Sequence, residues 1–136
     1  MKIVIDTNLW ISFLIGKILK GLKDSIFDKR ITILTSDEHL EELFSVLKRP
    51  KFKKYFTHED IEKLSYLLDK TGVVVEIQDK VEVCRDRKDN FLIDIAINGG
   101  ADFIITGDDD LLVLNPFRGI SIVKVKEFEA RLRLSL

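Results

Sequence analysis

Cysteine is almost absent from this chain of 136 residues, in which Cys84 is the only one. One cysteine excludes an internal disulfide and a cysteine-based metal cage, and it fits a reducing compartment such as the cytoplasm. The sequence also lacks any run of about 18 apolar residues, so we expect no membrane span. The opening MKIVIDTNLW has an acid inside its apolar stretch and no small-residue cleavage site, so we expect no secretory signal.

An excess of charge of one sign is missing as well. Lysine and arginine total 22 against 23 acids, a net charge of −1, so no overall positive field indicates a nucleic-acid partner, although a local basic patch can still bind phosphates. No G-x-G-x-x-G follows the first β-rich run, which excludes a dinucleotide-binding module. The two histidines, His39 and His58, share no ligand spacing, which argues against zinc.

The sequence does contain an alternation of β-rich runs and amphipathic helical segments. Periodicity and caps predict helices from Trp10 to Phe27, after the caps Ser36 and Thr57, over Asp89–Asn98, after Asp110, and from Lys126 onward. The strands are expected at Lys2–Ile5, Ile31–Leu34, Val73–Ile77, Phe103–Thr106 and Ile120–Val125. This alternation predicts one α/β domain over residues 1–136, a three-layer sandwich with a central parallel sheet of about five strands.

Four acids lie where the predicted elements begin or end. Asp6 follows the first strand, Asp108 follows the fourth, Asp89 opens a helix, and Glu42 lies on the helix after the second strand. Open parallel sheets bind ligands at the carboxyl ends of their strands, so we expect these acids to meet there. Crowded carboxylates repel one another unless a cation lies between them, and oxygen ligands suit Mg²⁺ or Mn²⁺. Each acid alone is explained as well by helix capping or a solvated helix face, and it is their coincidence that indicates a metal site.

Four segments together resemble the motif series of the PIN domain: IDTNLW, SDEHLEELFSVLKRPKF, CRDRKDNFLIDIA and ADFIITGDDDLLVL. They resemble most the group of that family assigned as toxins of prokaryotic toxin–antitoxin pairs. The resemblance implies an Mg²⁺- or Mn²⁺-dependent endoribonuclease that leaves a 5′ phosphate and a 3′ hydroxyl, and it implies a homodimer and an antitoxin protein as partner. It also implies roles for named residues: Asp6, Glu42, Asp89 and Asp108 as catalytic metal ligands, Asp110 as a further ligand, and Thr7, Asn8 and Thr106 as supporting residues.

A basic and aromatic segment over residues 48–56 is a candidate contact for single-stranded or structured RNA. It holds five cations and three aromatic residues, and cations position phosphates while aromatic faces stack on unpaired bases. The candidate RNA contacts are Arg49, Lys51, Lys53 and Lys54, together with Arg87 and Lys88, which stand where many members of the resembled family have proline and an acid. The competing interpretation makes Phe52 and Phe56 core anchors and the lysines merely solvated.

Two alternatives remain open beside the nuclease. A catalytically degenerate PIN domain would serve as an RNA-binding or scaffold module, and tight Mn²⁺ binding without cleavage would favour it. A phosphatase of the haloacid-dehalogenase type also has an aspartate after its first strand, but it needs a second acid two residues later. That position is Asn8 here, so we rank the phosphatase below the binding module.

Overall fold

The structure, a computed structural model, describes residues 1–16, 30–84 and 87–134. In chain order its elements are β1 (Lys2–Ile5), α1 (Thr7–Gly16), β2 (Thr32–Thr35), α2 (Asp37–Leu47), a short 3₁₀ turn (Pro50–Phe52), α3 (His58–Thr71), β3 (Gly72–Val74), α4 (Arg87–Gly99), β4 (Phe103–Ile105), α5 (Asp109–Leu112), β5 (Ser121–Val123) and α6 (Val125–Leu134). None of the described helices is long and apolar enough to span a membrane.

The five strands form one parallel sheet in the order β3-β2-β1-β4-β5. The chain runs outward from β1 through β2 to β3, and then crosses to the other side of β1 for β4 and β5. The strand order therefore reverses between β1 and β4, where Ile3 and Ile5 pair with Phe103 and Ile105. In open parallel sheets, ligands bind in the crevice at the carboxyl ends of the strands at such a reversal.

Helices cover both faces of the sheet, which confirms the predicted three-layer α/β sandwich. Alternate residues of β1 point to opposite faces, so Ile3 and Ile5 join one hydrophobic cluster while Val4 joins the other. The first cluster receives side chains from α1, α2, α3 and α6, and the second from α4 and α5. Trp10, Leu43 and Ile93 are almost completely buried in these clusters.

The predicted caps and helix ends agree closely with the structure. The Ser36 hydroxyl accepts a hydrogen bond from the His39 backbone N–H, and Thr57 forms a reciprocal capping box with Asp60. The chain leaves α4 through Gly100, which adopts a positive φ of 67° that glycine tolerates best. The helix predicted from Trp10 to Phe27 corresponds to α1, which begins at Thr7 and is described as far as Gly16. Residues 17–29 lie outside the described residues.

The third strand was predicted too long. It was expected over Val73–Ile77, but β3 ends at Val74, although the Val75 backbone N–H still donates to the Thr35 carbonyl oxygen at 2.7 Å. Beyond that point the chain leaves the sheet and runs along α4. Side chains of α4, rather than a neighbouring strand, bind its backbone.

Three residues on one face of α4 bind this segment. The Asn98 carboxamide oxygen accepts from the backbone N–H groups of residues 78 and 79, both at 3.0 Å, and its amino group donates back to the carbonyl oxygen of residue 79. Asp94 Oδ1 accepts from the N–H of Val81 at 2.7 Å. Asn90 Oδ1 accepts from the N–H groups of residues 83 and 84. Residues four apart on a helix share one face, so these three side chains form a polar ladder, the Asn90–Asp94–Asn98 ladder.

Candidate metal centre and active site

The candidate site lies at the carboxyl ends of β1 and β4, where the strand order reverses. Asp6 directly follows β1 and Thr106 directly follows β4, and the Asp6 backbone N–H donates to the Ile105 carbonyl oxygen at 3.1 Å. The two polar residues are thereby placed side by side although 100 positions separate them in the chain.

The buried hydroxyl of Thr106 connects two of the candidate acids. It donates to Asp6 Oδ2 at 2.8 Å and accepts from the Asp108 backbone N–H at 3.0 Å. The other carboxylate oxygen of Asp6 accepts from the Asn8 backbone N–H at 3.2 Å. Both oxygens of Asp6 are therefore held in a fixed orientation before any cation binds.

Asp89, Asp108 and Asp110 form the tightest acidic group among the described residues. Each offers a carboxylate oxygen, and these oxygens all lie within 4.8 Å of one another. Asp89 is buried, Asp108 is half-buried and Asp110 is exposed, so the group opens toward solvent. Asp108 Oδ1 also caps α5 by accepting from the Asp110 backbone N–H at 2.9 Å, which fixes the position of Asp110 relative to Asp108. Three carboxylates so close together repel one another unless a cation joins them, and an all-oxygen donor set fits Mg²⁺ or Mn²⁺.

One cavity of about 150 Å³ collects the four acids predicted from the sequence. Its lining residues are Asp6, Thr7, Asn8, Glu42, Val46, Arg49, Asp89, Leu92 and Asp108. The structure thus brings together acids from the end of β1, from α2, from α4 and from the cap of α5. Asp110 does not line this cavity, but its carboxylate lies close to those of Asp89 and Asp108, and these three residues are called the aspartate group below.

Comparison with known proteins places the chain in a family. The family model described as "PIN domain" matches residues 2–110. This chain belongs to the PIN domain family. PIN domains are generally nucleases that act on RNA and typically use a divalent metal.

A curated relative with a similar sequence gives no further information on activity. The PIN domain chain is 39% identical over 121 residues to "Uncharacterized protein MJ1680" of Methanocaldococcus jannaschii, covering 84% of this chain and 75% of that protein. No solved structure matches the chain. Family membership favours a nuclease over the phosphatase considered above.

The predicted RNA-binding residues do not all lie at the acidic cavity. Arg49 lines the acidic cavity, because α2 ends just before it and Pro50 starts the following 3₁₀ turn. Lys51 and Lys54 instead lie over the rings of Phe52 and Tyr55, at 5.0 and 5.1 Å from the ring centroids.

The remaining predicted contacts lie elsewhere. Lys53 lines a different cavity, and the side chains of Arg87 and Lys88 are outside the described residues. Phe56 is buried and stacks on Phe52 with the centroids 5.8 Å apart. The core-anchor interpretation therefore holds for these two phenylalanines.

His39 is a residue of the site's surroundings that the sequence analysis missed. It is buried, and its Nε2 lies 3.2 Å from the Ile5 carbonyl oxygen. A carbonyl oxygen only accepts hydrogen bonds, so Nε2 carries the proton and ties α2 to the end of β1. Burial lowers the pKa of His39, and the carboxylates of Glu42 and Asp6 only partly oppose this effect. The available signal was its position three residues before Glu42, on the same side of α2.

Asp94 is an acid of the same motif region with a structural role. It is buried and bound to the Val81 N–H within the Asn90–Asp94–Asn98 ladder. Burial raises the pKa of Asp94, and the Val81 N–H and Lys80 only partly oppose this shift. Its side chain faces the segment that runs along α4, and it does not line the acidic cavity.

Proposed function

We propose that this PIN domain is an endoribonuclease that hydrolyses RNA phosphodiester bonds with Mg²⁺ or Mn²⁺. The observation that carries the proposal is the convergence of Asp6, Glu42, Asp89 and Asp108, from separate elements, on one cavity at the reversal point of the sheet. Carboxylates used only as helix caps would have no reason to share a cavity. A metal-dependent nuclease requires this arrangement.

In this proposal, Asp89, Asp108 and Asp110 hold the cation, and Asp6 and Glu42 complete its surroundings. When bound, the cation supplies Lewis acidity, which lowers the pKa of a coordinated water and offsets the charge that develops on the phosphodiester. Asp6 stays oriented because its two oxygens accept from Thr106 and from the Asn8 N–H. Hydrogen bonds that orient a metal-binding side chain in this way commonly change metal affinity by about 10- to 100-fold.

Arg49 is positioned to bind the RNA itself. It lines the acidic cavity among carboxylates, and its guanidinium offers the donors that bind phosphate oxygens in pairs. Binding there would keep the phosphodiester beside the acids for in-line attack by water. The products would carry a 5′ phosphate and a 3′ hydroxyl.

The narrower biological role is also part of the proposal. We infer that the protein is the toxin of a toxin–antitoxin pair, acts in the cytoplasm as a homodimer of one PIN domain per chain, and is inhibited by an antitoxin protein. The support for this is the resemblance of its motif series to that group of PIN domains. A chain that cuts RNA but does not arrest growth on expression would retain the nuclease and exclude the toxin.

The test is cleavage of labelled single-stranded and structured RNAs with Mg²⁺, with Mn²⁺ and with EDTA. We expect cleavage only with a divalent ion, and losses on the order of a hundredfold or more for Asp6→Asn and Asp108→Asn. Asp109→Asn is the matched control, because Asp109 is exposed and adjacent in sequence but belongs to neither the cavity nor the aspartate group. Folded protein that binds Mn²⁺ tightly and cuts none of the RNAs would indicate the RNA-binding module instead.

A further inference from the structure

A second cavity lies across the last turn of α2 from the acidic one. It has a volume of about 370 Å³, within the range of roughly 300–1,000 Å³ typical of ligand sites. Leu47, Phe56 and Ile61 give it an apolar floor, and Lys48, Lys53 and His58 surround that floor. An apolar floor under cationic side chains fits a ligand with a flat apolar part and a negative charge.

Consecutive residues of one helical turn line both cavities. Val46 and Arg49 face the acidic cavity, while Leu47 and Lys48 face the second one. A helix with its side chains is only about 10–12 Å across, so the two cavities are close neighbours. A flexible chain with one phosphate at Arg49 can therefore continue past Lys48 into the second cavity.

The three cations that line the two cavities, Lys48, Arg49 and Lys53, form no ion pair with a carboxylate in the part of the chain that the structure describes. The ion pairs among the described residues join His58 to Glu62, Lys63 to Glu59 and Arg131 to Glu127, and none involves a cation of residues 48–54. Lys48, Arg49 and Lys53 therefore form a positive strip along the two cavities, while Lys51 and Lys54 lie over the rings of Phe52 and Tyr55. Such a strip favours an extended anionic chain.

We propose that the second cavity binds an unpaired nucleobase of the RNA strand whose scissile phosphate lies in the acidic cavity. The base would rest on the apolar floor and against the exposed imidazole of His58, since histidine is among the side chains on which unpaired bases stack. Lys48 and Lys53 would bind the flanking phosphates. This inference rests on the proposed function, because it takes the acidic cavity as the place of cleavage.

An RNA strand fits this surface better than an acidic segment of a partner protein does. An acidic peptide would match the lysines but would meet the carboxylates of the neighbouring cavity, which repel it. The carboxylates would hold a cation, and its positive charge would offset their repulsion of an RNA phosphate. The strip and both cavities then serve one ligand.

The test is a scan with single abasic nucleotides. A fluorescent single-stranded RNA of mixed sequence is made in versions that each lack one base, and binding is measured by anisotropy with Ca²⁺ as a hard oxygen-binding cation. We expect one position to weaken binding by about tenfold, because stacking of one base contributes about 1–3 kcal/mol. A set of equal affinities would overturn the proposal.

Two variants, each with a control, test whether the base and a flanking phosphate bind at the second cavity. His58→Ala should abolish the position dependence, whereas Glu62→Ala, which breaks the same His58–Glu62 pair but keeps the imidazole, should retain it. Lys53→Ala should reduce the slope of log affinity against log salt by about 0.7, the value for one phosphate contact on a single strand, and Lys126→Ala, on α6, should not.

The outcomes distinguish this proposal from the proposed function. Position dependence lost in His58→Ala supports the nucleobase site even if the protein cuts no RNA. Cleavage by the wild-type protein with unchanged binding and cutting in His58→Ala and Lys53→Ala overturns the nucleobase site and leaves the nuclease intact. In that case a protein partner becomes the better occupant of the cavity.

Discussion

Thr106 shows how a residue without acid or base chemistry can control a metal site. Its hydroxyl is completely buried, donates to Asp6 and accepts from the Asp108 N–H. Thr106 was predicted to be a supporting residue only from the family resemblance. The hydrogen bonds give that role a physical reason, because they set the orientation of one acid and the backbone position of another.

Replacing Thr106 by valine keeps the volume and removes both hydrogen bonds. We expect Thr106→Val to weaken Mn²⁺ binding by about 10- to 100-fold and to lower the free energy of unfolding by about 1–3 kcal/mol, since the Asp108 N–H loses its acceptor. Calorimetric titration with Mn²⁺ and chemical denaturation measure the two effects. Thr35→Val is the matched control, because Thr35 is a buried threonine at the end of β2 whose hydroxyl makes only one 3.5 Å contact. Equal Mn²⁺ affinity in both variants would show that the Thr106 hydroxyl has no such role.

His39 gives the unfolding free energy a dependence on pH. Because burial lowers the pKa of His39 in the folded state, the unfolded chain binds a proton more readily below about pH 6.5, the ordinary histidine value. Stability from this group is complete above that pH and is lost as the pH falls toward the folded-state pKa. We expect His39→Gln to flatten this part of the curve in urea titrations with EDTA. Equal slopes in the wild-type protein and in His39→Gln would contradict the prediction.

At the scale of elements, sequence patterns predicted what local chemistry controls. Ser36 and Thr57 cap helices because their hydroxyls satisfy free backbone N–H groups, and this preference is readable from the sequence alone. The Asn90–Asp94–Asn98 ladder could not be predicted, because polar residues four apart on a helix have the same spacing as an ordinary solvated face. The end of β3 was predicted too late because residues 75–77 keep the alternating apolar pattern of a strand. In the structure the later backbone N–H groups of this segment find their hydrogen-bond partners on α4.

Loss of one member of this ladder should open the segment that it binds. Asn98→Ala removes the acceptor for two backbone N–H groups, so we expect the unfolding free energy to fall by about 1–3 kcal/mol. Hydrogen exchange should accelerate at residues 78 and 79 more than in β1 and β4. Gln78→Ala, which alters an exposed side chain in the same segment, is the control. Uniform acceleration across the sheet would mean that the ladder contributes only to global stability.

At the scale of the molecule, the site exists because the sheet is parallel and its order reverses beside β1. That topology brings residues 6 and 106 together, and it made the four cavity acids predictable from strand ends and motifs. The distances between the acidic side chains could not be predicted from the sequence. Nothing in it shows that Asp89, Asp108 and Asp110 approach most closely, or that a second cavity shares the last turn of α2. These features depend on helix positions that only tertiary packing determines.

The same crowding of carboxylates makes the stability of the molecule depend on divalent ions. A cation bound among the three aspartates stabilises the folded state by about 2.7 kcal/mol at a hundred times its dissociation constant. We expect Mn²⁺ to raise the Tm of the wild-type protein by several degrees. Asp108→Asn keeps a side-chain oxygen that can cap α5 but removes a charged metal ligand, so its Tm should gain little from Mn²⁺.

The control is again Asp109→Asn, which removes the same charge from the neighbouring exposed position. It should show the full wild-type gain with Mn²⁺, because Asp109 belongs neither to the aspartate group nor to the cavity lining. A full gain in Tm for Asp109→Asn and a small gain for Asp108→Asn would locate the ion at Asp108, by a measurement that does not depend on any RNA. If instead both variants gained stability from Mn²⁺ as the wild-type protein does, the cation would have to bind away from Asp108. The nuclease proposal would then lose its metal centre.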